Sequence, residues 1–434
     1  METFSEHFAL SVTDENVNRL KERMREVKVR DDKEVPILSE GPSKDDFVEG
    51  IRREGRRRLI HRIKENHSNE EDLEVLTSLL QQHVSYPIVD GRYLISYTNY
   101  RKVRDLCPSN LRSFLTDRLF EALRADLRDH VGRVEVKRLM LYCHKRLLVN
   151  HHLLMLHEYA RNEQPFLNYD DFQEFLTHEI VPNIIGLQDA VNEHGESIRL
   201  MDPNYYLVFV EKKVQFLLDP LYTQKIRIVD LMATGVLDDL LGQFEARNAD
   251  DLTNRFSIAI CENILSVFRD LDVDINGLLS EAELALYNDS KYSSLFISNV
   301  FLTEKTFDDN QIDFTGFINF YNAVEYKRLD QSMRWMFRVL DRDSKGFLTR
   351  EDIIEHIESL MAIVQERAAH IEAKIDDVAD EVFDICKPVD PTRITIKDVL
   401  ECGKGATVMG MITNLDDYIT YETREDQSND PDQE

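Results

Sequence analysis

Chain breakers are scarce in this sequence of 434 residues: 15 glycines and 11 prolines, about 6% together, roughly half the usual share. That excludes a collagen-like or Pro/Gly-rich low-complexity chain and points to long helices with few tight turns. Cysteine is sparse too. The five, Cys107, Cys143, Cys261, Cys386 and Cys402, are odd in number, widely spaced and without a CxxC pair, so they read as reduced thiols, neither a disulfide framework nor a zinc site. No apolar run approaches the ~18 residues of a membrane span, and Met1-Glu2-Thr3-Phe4-Ser5-Glu6 lacks the basic and apolar regions of a signal peptide. The expectation is a soluble intracellular protein with no membrane partner. Positive charge is short: 81 acidic residues face 53 basic ones, for a net −28. Such a chain repels polyphosphate, which argues against nucleic acid and suits basic partners or a divalent cation.

Catalytic signatures are missing as well. GxSxG, GxxxxGK[ST], HExxH and GxGxxG do not occur. Gly403-Lys404-Gly405 with Gly410 is glycine-rich, but no strand precedes it to make a phosphate loop. His144, His151, His152 and His157 fall in a helical stretch without the cysteine or carboxylate that would complete a tetrahedral metal set. Met333, Trp335, Met336 and Phe337 could form a target-binding patch. Three of them fit core positions of a helix, leaving only Trp335 on another face.

Hydrophobic residues make up 42% of the chain, close to the globular average. Residues 1–40 are charged and weakly periodic, a partly ordered leader. Gly41-Pro42-Ser43 opens a helix with Ser43 as N-cap. Phe47, Ile51, Leu59, Ile60 and Ile63 recur along it at helical spacing, and Arg52, Arg53, Arg56, Arg57, Arg58, Arg62 and Lys64 make the other face basic. That face is either solvated or a dock for an acidic partner. The opposite end is acidic from Asp416 onward, and the final dozen residues read as disordered. Between the ends a short insertion recurs: a turn, two or three alternating β-type residues, then a polar residue opening a helix. Its central apolar residues are Ile95, Val134, Leu167, Ile226, Leu279, Ile312, Leu348 and Ile394. Helix–loop–helix units with a short β-bridge between paired loops have this pattern.

One insertion is chemically complete. Asp272 to Glu283 matches D-x-[DN]-x-[DN]-G-x5-E at every position, the EF-hand calcium loop. Calcium takes six to eight hard oxygens. Asp272, Asp274 and Asn276 offer side-chain oxygens, Leu278 its carbonyl, Ser280 a water-bridged contact and Glu283 both carboxylate oxygens. Gly277 allows the left-handed turn, and Leu279 is the β-bridge residue. The incoming helix carries Ile264, Val267, Phe268 and Leu271 where apolar residues belong. A second loop, Asp341–Asp352, has the glycine and the flanks: Met333, Met336, Phe337 and Leu340 before it, Ile353, Ile357 and Leu360 after it. Lys345, however, puts an ammonium at a ligand position, and Asp352 is one methylene shorter than glutamate. An EF-hand shape with weak or absent calcium binding is expected there. The other loops lack ligands: Lys305 and Phe307 precede Gly316, Lys387-Pro388 opens the loop to Asp398, and Gln224 replaces the glycine between Asp219 and Asp230.

The ordered segments resemble the B-double-prime regulatory subunits of protein phosphatase 2A, most closely the gamma form, from about Lys44 to about Glu425. Leu217-Leu218-Asp219-Pro220-Leu221 with Lys225-Ile226-Arg227-Ile228 is similar to the family's FLDPLRTGKIKI. Leu237-Asp238-Asp239-Leu240-Leu241 resembles SFLDDLLEL, Phe383 to Pro391 resembles FDMVKPKDP, and Tyr418-Ile419-Thr420-Tyr421-Glu422 matches the last ordered segment. Departures are Gln224 and a reduced N-terminal motif, Pro36-Ile37-Leu38. The resemblance implies a non-catalytic subunit that binds the scaffold and catalytic subunits of the phosphatase and directs choice or location of phosphoprotein substrates. It also implies a cytoplasmic place, with the centrosome or nucleus in view, and a cell-cycle link. The phosphatase motifs GDxHG, GDxxDRG and GNHE are absent, as that role requires. A free-standing EF-hand calcium sensor or scaffold protein, and an enzyme with an unrecognised site, are the competing readings.

The expected fold class is mainly α, an elongated array of EF-hand-like helix–loop–helix units with short β-bridges. The expected parts are a leader (1–40), an N-terminal helical region (41–110), a degenerate EF-hand-like domain (111–245), an EF-hand domain with the complete calcium loop (246–415) and an acidic tail (416–434).

Overall fold

A computed structural model describes residues 44–65, 70–89, 91–125, 132–160, 165–188, 200–244, 252–307, 310–371 and 374–424. The leader, the Ser43 cap and residues 425–434 lie outside this range. The described residues are mainly helical, with only short antiparallel strand pairs. They fall into two compact units, drawn from Met1–Arg199 with Lys225–Ala249 and from Leu200–Gln224 with Asp250–Glu434.

The eight insertion residues pair in successive twos. Ile95 lies opposite Val134, Leu167 opposite Ile226, Leu279 opposite Ile312, and Leu348 opposite Ile394. All eight are buried. The reason is local: a loop between two helices leaves its middle backbone N–H and C=O unmet, and a second such loop supplies both partners. The apolar side chain at that residue is then held in the core between the helices.

In the first unit Ser85–Val89, Arg92–Ile95 and Val134–Glu135 form a three-stranded sheet, and Phe166–Asn168 pairs with Lys225–Arg227. Tyr100, Val103, Leu115, Phe120, Leu139 and Cys143 belong to its core, where the Tyr100 hydroxyl donates to the Thr116 carbonyl at 2.8 Å. The basic helix Lys44–Glu65 runs against helix Val136–Tyr159. Its inner face differs from the expected one: Ile60 and Ile63 are half-buried, whereas Ile51 and Leu59 are exposed. At about 100° per residue, positions 56, 60 and 63 share one face and Ile51 lies nearly opposite. Arg56 is accordingly half-buried. His151 and His152 are buried, and His152 Nδ1 meets the Leu148 carbonyl at 2.9 Å, so both are core residues of their helix.

In the second unit Phe347–Thr349 pairs with Arg393–Thr395. Several helices open on side-chain caps: Ser257 accepts from Ile260 N–H, Asp313 from Gly316 N–H, and Ser280, Thr349 and Thr395 each form a reciprocal capping box. Trp335, expected off the core face, is buried against Phe296 and Phe320, and its indole N–H donates to Glu304 at 2.8 Å. It therefore offers no target-binding surface. Gly405 and Gly410 are packing glycines: a Cβ on the first would strike the Val399 carbonyl and Met333, and on the second the Asp417 carboxylate. The acidic stretch expected from 416 begins inside helix Leu415–Glu422, where Asp416 pairs with Lys291 at 2.8 Å and Asp417 with Lys327.

Candidate metal centre

Helix Ile258–Leu271 delivers the first ligand. Ile264, Leu265, Phe268 and Leu271 are buried and Val267 is half-buried, so the apolar stripe fixes the direction in which the chain leaves the helix. Asp272 is its C-cap. One of its oxygens accepts from Asn276 N–H at 3.0 Å, and the other from Gly277 N–H at 2.9 Å. Ile275 at φ 58° and Gly277 at φ 80° turn the chain in the left-handed region. Glycine adopts this freely, but a β-branched residue is strained there. Ile275 is also 86% exposed, so its side chain gains nothing from the core.

The loop closes on Glu283, three residues into the capping box that begins at Ser280. Glu283 Oε2 accepts from Ser280 N–H at 2.9 Å and from its hydroxyl at 2.7 Å, while Oε1 accepts from Val273 N–H at 3.0 Å. Burial raises its titration, but these donors outweigh burial and hold the carboxyl below its ordinary range. The group is therefore poised as a carboxylate.

Asp272, Asp274 and Glu283 each bring an oxygen to within 4.8 Å of the others, the first and last buried and the second exposed. Oxygens bound to one calcium ion at 2.3–2.6 Å lie at most about 5 Å apart, so the three donors fit one hard divalent ion. Asn276 accepts from Leu278 N–H at 2.7 Å through Oδ1, and its amide donates to Asp274 at 2.9 Å and to Gln311 at 3.2 Å. Leu278 is half-buried beside the bridge residue Leu279. Ser280 acts through hydrogen bonds to Glu283. Gln311 was not legible as part of the site. It comes from the ligand-free partner loop and lies outside the calcium-loop pattern.

The second loop has a cation of its own. Lys345 Nζ lies 2.8 and 2.7 Å from the two carboxylate oxygens of Asp352. The lysine's titration is raised first by this bond; burial raises that of Asp352, but the Lys345 bond and the two Thr349 bonds together outweigh burial and lower it, so both groups stay charged. Elsewhere Asp219 accepts from Thr223 and Gln224 N–H at 2.9 and 2.7 Å, with Gln224 at φ 60° where glycine is usual. Arg227 grips Asp230 with two bonds of 2.7 and 3.0 Å.

No family model matches the chain. The chain is 29% identical over 393 residues to the B'' gamma regulatory subunit of serine/threonine-protein phosphatase 2A from Xenopus tropicalis, covering 88% of this chain and 84% of that one. The Homo sapiens protein of the same name is 28% identical over 390 residues, 88% and 83% of the two chains. A probable B'' regulatory subunit from Arabidopsis thaliana, TON2, is 24% identical over 375 residues, 82% and 75%. Among solved structures, a chain of a PP2A PR70 holoenzyme in its diCa form matches with a TM-score of 0.52 at 24% identity, over 62% of this chain and 97% of that one. At that identity the likeness concerns the fold alone. Over most of its length, then, this chain resembles the B'' regulatory subunits of protein phosphatase 2A.

Proposed function

We propose that the chain is a non-catalytic regulatory subunit of protein phosphatase 2A. It binds the scaffold and catalytic subunits and directs substrate choice or location, and it holds calcium in the loop Asp272–Glu283. The observation that carries this reading is the similarity, over 88% of the chain, to proteins named as B'' regulatory subunits. The phosphatase motifs named above are absent from the sequence. Mechanistically, a tethered phosphoprotein meets the catalytic subunit at an effective concentration that short flexible linkers bring to about the millimolar range.

For calcium, Asp272, Asp274, Asn276, the Leu278 carbonyl and Glu283 supply oxygens, and Ser280 orients Glu283. The diCa form of the similar PR70 holoenzyme supports the metal's identity. In this reading 41–110 leads into a degenerate EF-hand-like domain at 111–245, and 246–415 carries the calcium loop. The complex works in the cytoplasm, with the centrosome or the nucleus as a further place. No helix among the described residues is long and apolar enough to cross a membrane.

Affinity capture from cells, with and without a chelator, tests the proposal. Scaffold and catalytic subunits should co-purify under both conditions, and the purified chain alone should release no phosphate. Recovery of the chain without either subunit would favour a free-standing calcium sensor.

A further inference from the structure

The loop Asp341–Asp352 repeats the hydrogen-bond frame of Asp272–Glu283 almost bond for bond. The first carboxylate accepts from backbone N–H groups at the fifth and sixth positions: Asn276 and Gly277 on Asp272 at 3.0 and 2.9 Å, Lys345 and Gly346 on Asp341 at 2.9 and 2.6 Å. The last carboxylate accepts from the N–H and hydroxyl of the ninth residue: Ser280 on Glu283 at 2.9 and 2.7 Å, Thr349 on Asp352 at 2.8 and 2.9 Å. Positive φ falls at the same places, Ile275 and Gly277 in one loop, Ser344 and Gly346 in the other. The bridge residues Leu279 and Leu348 are both buried.

The fifth side chain separates them. Asn276 turns to Asp274 and Gln311. Lys345 Nζ instead straddles both oxygens of Asp352, at 2.8 and 2.7 Å, with Asp343 at 3.9 Å. We propose that Lys345 is the resident cation of this loop: its ammonium stands where a metal would, so the hand keeps its loaded shape without calcium, and replacing it while lengthening Asp352 to glutamate completes a divalent-cation site. An ammonium brings one positive charge and three donors, which answers the mutual repulsion of Asp341, Asp343 and Asp352. Being covalently attached, it does not depend on the calcium concentration. A calcium ion entering the loop would have to break a charge-assisted pair and sit beside the displaced cation. The second unit would then combine one hand that answers calcium with one that does not. The strand pair Phe347–Thr349 with Arg393–Thr395 would stay formed at any calcium level.

The test uses the full chain with the first loop silenced by Glu283→Gln, which keeps it independent of the reading of that loop. Calcium is titrated by calorimetry, and hydrogen exchange is followed at 347–349. In that background Lys345→Asn with Asp352→Glu, which completes the calcium-loop pattern, should bind one further calcium at least tenfold more tightly than Glu283→Gln alone. Lys345→Met should speed exchange at 347–349 in calcium-free buffer. Three results would overturn the proposal: a calcium site in Glu283→Gln that vanishes on adding Asp352→Asn; unaltered exchange in Lys345→Met; or no gain of calcium binding in a folded Lys345→Asn/Asp352→Glu variant. Comparing wild type with Glu283→Gln reports on the first loop separately.

Discussion

Leu279 and Ile312 exchange both backbone hydrogen bonds, at 2.7 and 2.9 Å, and both side chains are fully buried. The loop that carries the oxygen ligands is thus fastened to one that carries none. Order imposed on Asp272–Glu283 by calcium should pass through this bridge. Hydrogen exchange on the free chain should show calcium-dependent protection across 272–283 and at the Ile312 amide. Leu279→Ala should cost about 2–5 kcal/mol and weaken that coupling. Trp335 is the chain's one tryptophan and is buried in this unit, so its fluorescence follows the unit's unfolding directly. Protection confined to the ligand loop would show that the bridge transmits nothing.

Calcium affinity should depend on Glu283 and not on Asp352. Glu283→Gln removes one of the closing oxygens and should weaken binding by about tenfold or more. Asp352→Asn should leave calcium binding nearly unchanged, because Asp352 already holds Lys345. Calorimetry on the two variants separates these outcomes. Equal losses would contradict a single working loop.

Lys213 gives the second unit a pH dependence in the alkaline range. Its side chain is buried, donates to the Tyr326 hydroxyl at 3.1 Å and lies over the Phe209 and Tyr326 rings. Burial first, and Arg255 second, lower its pKa from 10.5 to about 8. Between these values the unfolded chain holds a proton that the folded chain has lost, so stability rises with pH. The gain is about 3 kcal/mol across the window, and below pH 8 the cost of burying the charge is fully present. The Tyr326 phenol is shifted upward by burial, so it stays protonated over most of this range. Buried thiols and phenols such as Cys261 and Tyr206 are held protonated by the fold and lower stability toward pH 10 in wild type and variant alike, so the Lys213 effect is read as a difference: in Trp335-monitored unfolding at pH 7, 8.5 and 10, wild type should gain on Lys213→Met as pH rises. A slope identical in wild type and Lys213→Met would contradict the assignment.

The basic helix offers a kinetic prediction. Arg53 and Arg57 are exposed, so Arg53→Glu with Arg57→Glu should leave the fold intact. If the face meets an acidic partner, association should slow several-fold at low salt and lose part of its salt dependence. Unchanged rates would return the helix to a solvated role.

Much of this was legible from the chain itself, because the pairing rule is local. A turn, an apolar residue and a polar residue opening a helix recur at each of the eight insertions, and the apolar residues pair in order from Ile95 with Val134 to Leu348 with Ile394. The same locality fixes the geometry around Asp272 and Glu283. What escaped depends on distant partners. Ile51 and Leu59 read as core, yet the face chosen by Ile60, Ile63 and Arg56 turns them outward. Trp335 reads as off-core until Glu304 supplies a partner for its N–H. Lys345 reads as an obstacle to calcium from the loop pattern alone, and its ammonium lies on Asp352 of the same loop. Asp416 and Asp417 read as the start of a tail, but Lys291 and Lys327, far back in the chain, bind them.

The most direct test of the regulatory-subunit reading is the binding of the purified full chain to a purified scaffold–catalytic dimer, followed by interferometry with calcium or a chelator. The account predicts a ternary complex with a dissociation constant on the order of 1 µM or tighter, about −8 kcal/mol. It also predicts that chelation weakens the complex by no more than about a hundredfold, because one site at a hundredfold excess of calcium contributes about 2.7 kcal/mol at most. Absence of any association at saturating concentrations of the dimer, by a chain that is folded and calcium-loaded, would contradict it.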